Sequence, residues 1–313
     1  MRIISGTLDF HVEEDTVVAI GKFDGIHKGH AEIIKKMLEF KSRGLKMAVF
    51  TFDIPPASVF YGKNQKVLTT NEEKRKIFQE LSVDYLIEFP FFEKSAAITA
   101  EQFIERILLD RLRMRAAVVG ADCKFGYKGL GNGELLKTYG EQYGFDTVIV
   151  DKMIFKGREI SSTFVREEIE AGHLETANRL LLRPYLFYGK VVHGRRLGRT
   201  LGMPTVNLLP EAEKLLPPSG VYFSRVSHMG QEYRAITNIG CKPTVSETDG
   251  KSRPVMGVET YIYNFGDEIY GDYLFVSLYK FVRGEMKFAS VEALKEQMQK
   301  DIRKGEKWHK EHL

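Results

Sequence analysis

The sequence predicts two domains of different class, an α/β domain with a mostly parallel sheet followed by a small antiparallel β-barrel. In the first half, short β-rich apolar runs alternate with helical patterns, which is typical of βαβ units. After Arg183 and Pro184, short alternating runs lie between Gly- and Pro-rich turns, as in antiparallel sheets. A length of 313 residues is enough for two domains, each with its own core.

The elements of the first half follow from apolar runs and helix-start signals. Strands are predicted at 16–20, 46–52, 84–89, 115–119 and 146–150. A helix over 30–40 places its apolar side chains on one face. The spacings Thr70-x-x-Glu73 and Thr99-x-x-Gln102 are capping boxes that open two further helices. A helix over 163–182 then closes a first domain of residues 1–183.

The second domain, residues 184–313, is predicted to be an antiparallel barrel with a helix after it. Its strands are expected at 185–192, 221–227, 232–239, 256–263 and 273–280. The final helix is expected near 290–303, where three apolar side chains recur on one face. The segment 243–254 is the best candidate for a mobile loop.

Composition and charge exclude several classes of protein. The net charge of +4, from 46 basic and 42 acidic residues, is too balanced to indicate nucleic-acid binding. The two cysteines, Cys123 and Cys241, lack metal-ligand spacing and fit a reducing compartment. No apolar leader follows Met1, and no run approaches the ~18 apolar residues of a membrane span. We therefore expect a cytoplasmic protein without nucleic-acid or membrane partners, and homo-oligomerisation is left open.

The most informative segment is the turn GKFDGIHKGH at residues 21–30, between a predicted strand and a predicted helix. Backbone N–H groups at such a turn and the helix dipole both favour an anion. His27 and His30 add side-chain donors, which points to chemistry on a nucleotide's phosphates. By itself the segment also fits an ordinary turn with two surface histidines.

Three other segments of the first half lie at expected carboxyl ends of strands or at a helix start. They are Thr51 to Asp53, Gly120 to Gly126, and Ile160 to Thr163. Ligands of a doubly wound sheet gather at this edge, and hydroxyls at a helix start can hold a triphosphate. The hydroxyls of the last segment also fit a simple helix cap.

The second half contains a different constellation, in which glycines precede paired oxygen ligands. Glycines at 194, 198 and 202 let the backbone approach a phosphate closely. Thr205 and Asn207 lie two residues apart, hence on one face of an extended segment. Two neutral oxygen ligands with nucleotide phosphates and water suit Mg²⁺. Glu259 points away from an apolar strand face, which also fits a merely solvated side chain.

The segments GKFDGIHKGH, TFD, VVGADCKFG and ISSTFVR resemble the adenylyltransferase half of the prokaryotic bifunctional riboflavin kinase/FAD synthetase family, which has a Rossmann-like nucleotidylyltransferase fold. The resemblance implies that His27 and His30 hold the ATP phosphates and stabilise charge on the α-phosphate during transfer. It also implies contacts to ATP, adenylate or the flavin phosphate from residues of all four segments: Gly21, Phe23, Gly29, Asp53, Asp122, Ser161, Ser162, Thr163 and Arg166.

The segments GKVVHG, GRTLGMPTVN, PPSGVY, NIGCKPT, VETYI and RGEMKF resemble the riboflavin kinase half of the same family. The resemblance implies that Thr205 and Asn207 coordinate Mg-ATP beside the glycines Gly194, Gly198 and Gly202. It implies that Glu259 is the general base on the ribityl 5′-hydroxyl. The two resemblances cover nearly the whole chain in the family's order and imply the substrates ATP, riboflavin and FMN.

The sequence departs from the family's common pattern at four places. Ile54, Pro55 and Pro56 follow Asp53 without the usual histidine, and Cys123 replaces an aromatic residue. Glu159 stands where an arginine is common, and Tyr261 replaces a histidine.

These departures leave alternatives to a bifunctional enzyme. One is a chain that retains a single activity, with the kinase favoured. The other is a non-catalytic protein that senses flavin or nucleotide.

Overall fold

The computed structural model describes residues 1–54, 66–194, 197–245 and 252–312. The chain forms two compact units, Met1–Phe164 and Val165–Leu313. Among the described residues, no helix combines the length and the apolar character that crossing a membrane requires.

The first unit is built on a six-stranded sheet in the order β1-β4-β3-β2-β5-β6. Its strands are β1 (Arg2–Ser5), β2 (Thr16–Ile20), β3 (Lys46–Phe52), β4 (Tyr85–Phe89), β5 (Met114–Gly120) and β6 (Asp146–Val150). Every neighbouring pair is parallel, as the alternation of strands and helices predicts. The edge strand β1 was not predicted, because four residues with one buried side chain give little pattern.

From β2 onwards, helices lie between consecutive strands of this sheet along the chain. They are Lys28–Lys41, Asn71–Glu80, Glu93–Ala96, Ala100–Gln102 continued by a π-helix at Phe103–Arg111, and Gly133–Tyr143. A small hairpin follows β6, made of β7 (Ile154–Phe155) and β8 (Arg158–Glu159). Two of the helices begin at the predicted capping positions, Thr70 and Thr99. At Thr99 both bonds of the capping box form, and at Thr70 the N–H donates to Glu73 Oε2 at 3.0 Å.

The core of the first unit lies on the faces of the central strands. All five residues of β2 are buried, which is the pattern of a parallel strand covered on both faces. Phe50 lies against Phe89 and Phe103, with ring centroids 5.1 and 5.0 Å apart. This core fixes the carboxyl ends of β2, β5 and β6, where the predicted ligand residues begin.

The second compact unit begins at Val165, inside the first of two consecutive helices. The predicted helix over 163–182 is two helices, Ser162–Glu170 and Leu174–Leu181, because Gly172 has a left-handed φ of +78° that ends the first. Asn178 donates to the carbonyl oxygens of Leu278 and Tyr279 and accepts from the N–H of Tyr185. These bonds attach the second helix to the barrel. The compact units divide after Phe164, whereas the sequence predicts the domain boundary after residue 183.

Six strands form the closed barrel of the second unit, in the order β10-β13-β12-β11-β14-β9. They are β9 (Tyr185–Val192), β10 (Val206–Pro210), β11 (Gly220–His228), β12 (Gln231–Val245), β13 (Ser252–Ile262) and β14 (Tyr273–Arg283). A short helix, Leu197–Thr200, precedes β10. The predicted antiparallel barrel is thus confirmed, and all its described pairings are antiparallel.

The strands β12 and β13 are longer than predicted and shorten the loop between them. Their pairing extends to Val245 opposite Ser252, inside the segment 243–254 that was predicted to be a loop. The remainder of that prediction, 246–251, lies outside the described residues, as do Pro55 and Pro56.

The last helix, Val291–His312, is longer than predicted and packs on the barrel. Trp308 stacks near Phe223, with ring centroids 5.3 Å apart. Tyr263 donates to the carbonyl oxygen of Ile302 at 2.6 Å, and His309 Nε2 lies 3.0 Å from the carbonyl oxygen of Ala235. The helix is therefore part of the barrel's core and not an appendage.

Candidate active sites

A cavity of about 470 Å³ lies at the carboxyl ends of β2, β5 and β6 in the first unit. It brings together the turn at 21–30, the segments 120–124 and 150–153, and the helix start at 160–163. Nine residues predicted from sequence line it: Gly21, Phe23, His27, Gly29, His30, Asp122, Ser161, Ser162 and Thr163. Four stretches that are distant in sequence therefore surround one space.

The turn at 21–30 has an unusual backbone. Phe23, Gly25 and Ile26 have φ values of 49°, 87° and 45°, in the left-handed region that costs energy for residues other than glycine. Phe23 and Ile26 are both buried, and the Phe23 ring lies edge-on to Phe78 at 5.4 Å. Burial of the two side chains holds the turn in a conformation that the local sequence would not favour.

Hydrogen bonds from neighbouring loops brace the turn from outside. Asp24 Oδ1 accepts from the N–H groups of Leu68 and Thr69 at 2.7 and 3.0 Å. Thr69 Oγ1 accepts from the N–H of Gly25 at 2.9 Å, and Ser162 Oγ donates to the carbonyl oxygen of Asp24 at 2.7 Å. Sequence reasoning did not identify Asp24 and Thr69, because their role appears only when the two loops meet.

The two histidines lie against each other at the start of the helix. Their rings stack with centroids 3.9 Å apart and an angle of 21°. The N–H of His27 donates to His30 Nδ1 at 3.3 Å, so a neutral His30 carries its hydrogen on Nε2. His27 is 8% exposed, and a Cβ on Gly29 would approach its ring to 3.2 Å. Both imidazoles are thereby oriented by the backbone of one helical turn.

The opposite wall of this cavity carries charged and thiol groups. Lys152 lies 2.7 Å from Glu159 and 4.0 Å from Asp122, at the exposed rim. Cys123 is partly buried, with Sγ 3.7 Å from the carbonyl oxygen of Ile20, and desolvation raises the pKa of its thiol to about 12. Cys123 is therefore a protonated packing group at neutral pH.

Two predicted residues are placed differently, and three lysines were missed. Asp53 is not among the described residues lining the cavity; its Oδ1 accepts from the N–H groups of Ile54 and Phe91 at 2.7 and 3.0 Å. Arg166 belongs to the second compact unit, two residues beyond the division at Phe164. The missed lysines line the cavity and could have been noticed as the cations nearest the predicted segments: Lys22, Lys124 and Lys152.

The second unit has two cavities that share one lining residue. A cavity of about 290 Å³ is lined by Glu259 and mainly apolar side chains, and one of about 170 Å³ is lined by Asn207 and Gly194. Thr205 borders both. The two cavities are therefore neighbours that meet at Thr205.

Strand register places the predicted ligands of the second unit together. Asn207 on β10 lies opposite Glu259 on β13, and Glu259 lies opposite Asn238 on β12. Side chains directly opposite in antiparallel strands point to the same face, with Cβ atoms about 5 Å apart. A carboxylate therefore lies between two amides at the border of the two cavities.

Two glycines are required by the position of these side chains. A Cβ on Gly194 would come within 2.2 Å of Asn207 Nδ2. A Cβ on Gly198 would lie 2.4 Å from the carbonyl oxygen of Met203 and 3.1 Å from Thr205 Oγ1. By contrast Gly202, with φ of +77°, has no atom within 4 Å of such a Cβ and serves only the turn. Gly194 and Gly198 are therefore needed because neighbouring atoms leave no space for a Cβ, whereas Gly202 is needed only for its left-handed backbone conformation.

The larger cavity is closed by the segment after β14 and by the last helix. Arg283 donates from Nε and Nη2 to Asp301 Oδ2 at 2.9 and 2.7 Å, and Gln297 donates to Asp301 Oδ1 at 2.9 Å. Apolar side chains of both elements, including Met286 and Phe288, complete the wall. A flat, largely apolar ring system with polar substituents fits such a lining.

Within the described parts of the chain, no three His, Cys, Asp or Glu side chains form a cluster that could hold a metal ion. The oxygens of Thr205 and Asn207 could still complete the shell of a magnesium ion that is held mainly by phosphates and water. The donor set thus fits Mg²⁺ that enters with a nucleotide.

Comparison with protein families assigns both halves. The family model for FAD synthetase matches residues 9–164, and the model for riboflavin kinase matches residues 181–309. A bifunctional riboflavin kinase/FMN adenylyltransferase of Escherichia coli is 35% identical over an alignment of 306 residues, and the alignment covers 96% of each chain. This chain belongs to the bifunctional riboflavin kinase/FMN adenylyltransferase family.

Other relatives extend over the same length. The bifunctional riboflavin kinase/FMN adenylyltransferase of Buchnera aphidicola is 33% identical over 308 residues, covering 96% of this chain and 97% of the relative. A crystal structure described as a macrolide-efflux protein from Streptococcus pneumoniae superposes with a TM-score of 0.81 at 30% identity, covering 96% of this chain and 97% of that one. Family membership confirms the resemblance drawn from the sequence and the order of its two domains.

Proposed function

We propose that the chain makes FAD from riboflavin in two steps, each in its own unit. In the barrel, ATP phosphorylates riboflavin to FMN. In the α/β unit, ATP adenylylates FMN to FAD, and pyrophosphate is released. The family assignment of both halves supports the pair of reactions, and the shared border of the two barrel cavities at Thr205 supports the first step most directly.

In the kinase step, Glu259 acts as general base. The flavin ring occupies the larger, apolar cavity, and the nucleotide occupies the smaller one. The ribityl 5′-hydroxyl then reaches the γ-phosphate at the border, beside Glu259. A hydroxyl is a weak nucleophile, so a carboxylate that accepts its proton as the new P–O bond forms accelerates transfer. Asn207 and Asn238, opposite Glu259 on the neighbouring strands, support its orientation.

Magnesium enters this step with the nucleotide. The oxygens of Thr205 and Asn207 would hold it together with phosphate oxygens and water. Bound there, the ion supplies charge neutralisation on the transferred phosphoryl group. The close approach of the Gly194 backbone to the Asn207 amide fixes that ligand in place.

In the adenylyl transfer, positioning and electrostatics replace a base. The phosphate of FMN is already a nucleophile, so its oxygen can attack the α-phosphorus of ATP while the bond to pyrophosphate breaks. His30 Nε2–H and the His27 imidazole donate to the phosphate oxygens at the helix start, where the dipole also favours negative charge.

The other site residues have supporting roles in this proposal. Gly21, Phe23 and Gly29 shape the adenylate pocket, and Ser161, Ser162 and Thr163 bind ATP at the second helix start. Asp122 lies at the cavity rim near the flavin phosphate. Asp53 and Arg166 keep the roles implied by the family, with Asp53 acting through the loop that it organises.

The two functional domains are proposed as residues 1–183 and 184–313, in a cytoplasmic protein without nucleic-acid or membrane partners. Because the helix Leu174–Leu181 is attached to the barrel through Asn178, a fragment that begins before this helix should fold better than one that begins at Pro184. Circular dichroism and riboflavin phosphorylation of both fragments measure this difference.

One experiment tests the proposal and its alternatives together. The purified chain is incubated with Mg-ATP and either riboflavin or FMN, and the flavins are separated by chromatography. Formation of FMN and then FAD from riboflavin, and of FAD from FMN, is expected. Formation of FMN but not FAD would show that the chain has only the kinase activity. Absence of product from both flavins would favour the non-catalytic sensing protein. Replacing Mg²⁺ with EDTA should stop FMN formation.

A further inference from the structure

The loop from Tyr263 to Asp272, which joins β13 to β14, forms one side of the smaller barrel cavity. Six consecutive residues of it, 265–270, line that cavity. The loop has little regular structure, so the contacts that fix its ends decide the shape of the cavity. Two of the residues that make those contacts, His228 and Tyr233, do not line the cavity.

The end of the loop is held at Asp272. Its carbonyl oxygen accepts from the N–H of Val191 at 2.8 Å, and its own N–H donates to the carbonyl oxygen of Ile269 at 3.2 Å. On the outer side, His228 Nε2 lies 2.8 Å from Asp272 Oδ2. A carboxylate can only accept, so His228 carries a hydrogen on Nε2 and donates it.

The start of the loop is packed by the same hairpin. Phe265 lies edge-on to the ring of Tyr233 at 5.1 Å and to the ring of His228 at 6.4 Å. His228 ends β11 and Tyr233 lies near the start of β12, so both belong to the β11–β12 hairpin. The side chain of His228 is 12% exposed and that of Asp272 is 37% exposed, so the bond is formed by one largely buried and one partly exposed partner.

We propose that His228 is a positioning residue for the nucleotide of the kinase step. It does not line either barrel cavity among the described residues. It acts through Asp272 and Phe265, holding both ends of the cavity-lining loop against the β11–β12 hairpin. The inference rests on the proposed function, in which this smaller cavity takes Mg-ATP.

The test uses the full chain and measures the kinase step as the sum of FMN and FAD formed from riboflavin. His228→Phe keeps a ring beside Phe265 but removes the donor to Asp272. We expect the KM for Mg-ATP to rise about fivefold, the factor that loss of one such hydrogen bond brings. The KM for riboflavin and the rate of FAD formation from FMN should not change.

Two further variants separate a positioning role from a general loss of stability. His228→Gln places an amide donor near the former Nε2 and should restore most of the affinity for Mg-ATP. His173→Phe is the matched control, because His173 also pairs with a carboxylate, Glu168 at 3.2 Å, but lines neither cavity. An equal rise in both KM values, or no rescue by glutamine, would overturn the proposal.

Failure of this inference can be told apart from failure of the proposed function. Tyr270 lines the smaller cavity directly, so Tyr270→Ala should raise the KM for Mg-ATP if that cavity takes the nucleotide. If Tyr270→Ala raises it and His228→Phe does not, the positioning role of His228 is wrong. If neither variant raises it, the assignment of the cavity is wrong.

Discussion

The two sites of this chain are built by different means. In the α/β unit, the residues around the 470 Å³ cavity come from turns and helix starts after parallel strands. In the barrel, Asn207, Glu259 and Asn238 are set side by side by strand register. The first arrangement depends on left-handed residues and on bracing from other loops, whereas the second depends on correct strand pairing and on two closely approaching glycines, Gly194 and Gly198.

The difference shows where each site is vulnerable. In the turn-built site, a change at Asp24 or Thr69 would alter the position of His27 without touching it, because these residues hold the turn. In the register-built site, the ladder of backbone hydrogen bonds fixes the strand positions, and only close approaches such as Gly194 to Asn207 are sensitive. The predictions below test this contrast.

Glu259→Gln should have the largest effect, on one activity only. Loss of the general base should lower the kcat for riboflavin phosphorylation by about 10²–10⁴-fold, while conversion of FMN to FAD persists at the normal rate. Both rates are measured by chromatography of the flavins. Glu232→Gln, at an exposed position on β12, is the control; equal loss of both activities in Glu259→Gln would contradict separate sites.

His30→Ala should give the reverse pattern. Removing one donor to the transferring phosphoryl group should lower FAD formation from FMN by about 10²–10³-fold. Phosphorylation of riboflavin should continue, since it occurs in the other unit. His11→Ala, at an exposed histidine of the same unit, serves as the comparison, and normal FAD output from His30→Ala would refute the role of His30.

Gly194→Ala and Gly202→Ala should have different effects, because the first glycine is needed for close packing against Asn207 and the second for the backbone conformation of a turn. In the first, the new Cβ would meet the Asn207 amide at 2.2 Å, so we expect the KM for Mg-ATP to rise about tenfold, equivalent to about 1.4 kcal/mol. In the second, only the left-handed φ is disfavoured, which costs about 1 kcal/mol of folding stability. Kinetics and thermal unfolding of both variants distinguish the two, and identical profiles would contradict the distinction.

Cys123 should behave as a protonated thiol in the folded chain. Burial raises its pKa to about 12, so alkylation by iodoacetamide at pH 8 should be about a thousandfold slower than in the urea-unfolded chain. Peptide mapping by mass spectrometry identifies the modified residue.

The same shift gives a pH dependence of stability with a defined sign. The folded state keeps the thiol proton while the unfolded state loses it above about pH 8.5. This contribution to stability is therefore intact below that pH and is lost as the pH rises toward 12. Cys123→Ala should lose less stability than the parent chain across this window in denaturant titrations, and equal losses would contradict the assignment.

The sequence predicted the architecture well because its signals are local. The alternation of strands with helices, the two helix starts at Thr70 and Thr99 and five of the six barrel strands appear where residue periodicity indicates them, whereas β10 was not among the predicted strands. The boundaries were less accurate. Gly172 divides a helix that periodicity alone joined, and the contact of Asn178 with the barrel could not be read from neighbouring residues.

The sites were predictable in their residues but not in their arrangement. His27, His30 and Glu259 were predicted from motifs and from the family resemblance, and the structure places all three on cavity walls. The cross-strand position of Asn238, the bracing by Thr69 and the shared border at Thr205 depend on pairings between distant segments. Asp53 was predicted from its motif as a ligand residue, but the motif did not reveal that its carboxylate accepts hydrogen bonds from the backbone N–H groups of Ile54 and Phe91.

Closure of the barrel restricts how this half of the chain can vary. Each of its six strands has a partner on either side, so an inserted residue within β13 would turn Glu259 to the other face relative to both neighbours at once. Changes of length are therefore confined to the connections between strands. Those connections include the wall of the smaller cavity, so the shape of that cavity can change without displacing the carboxylate.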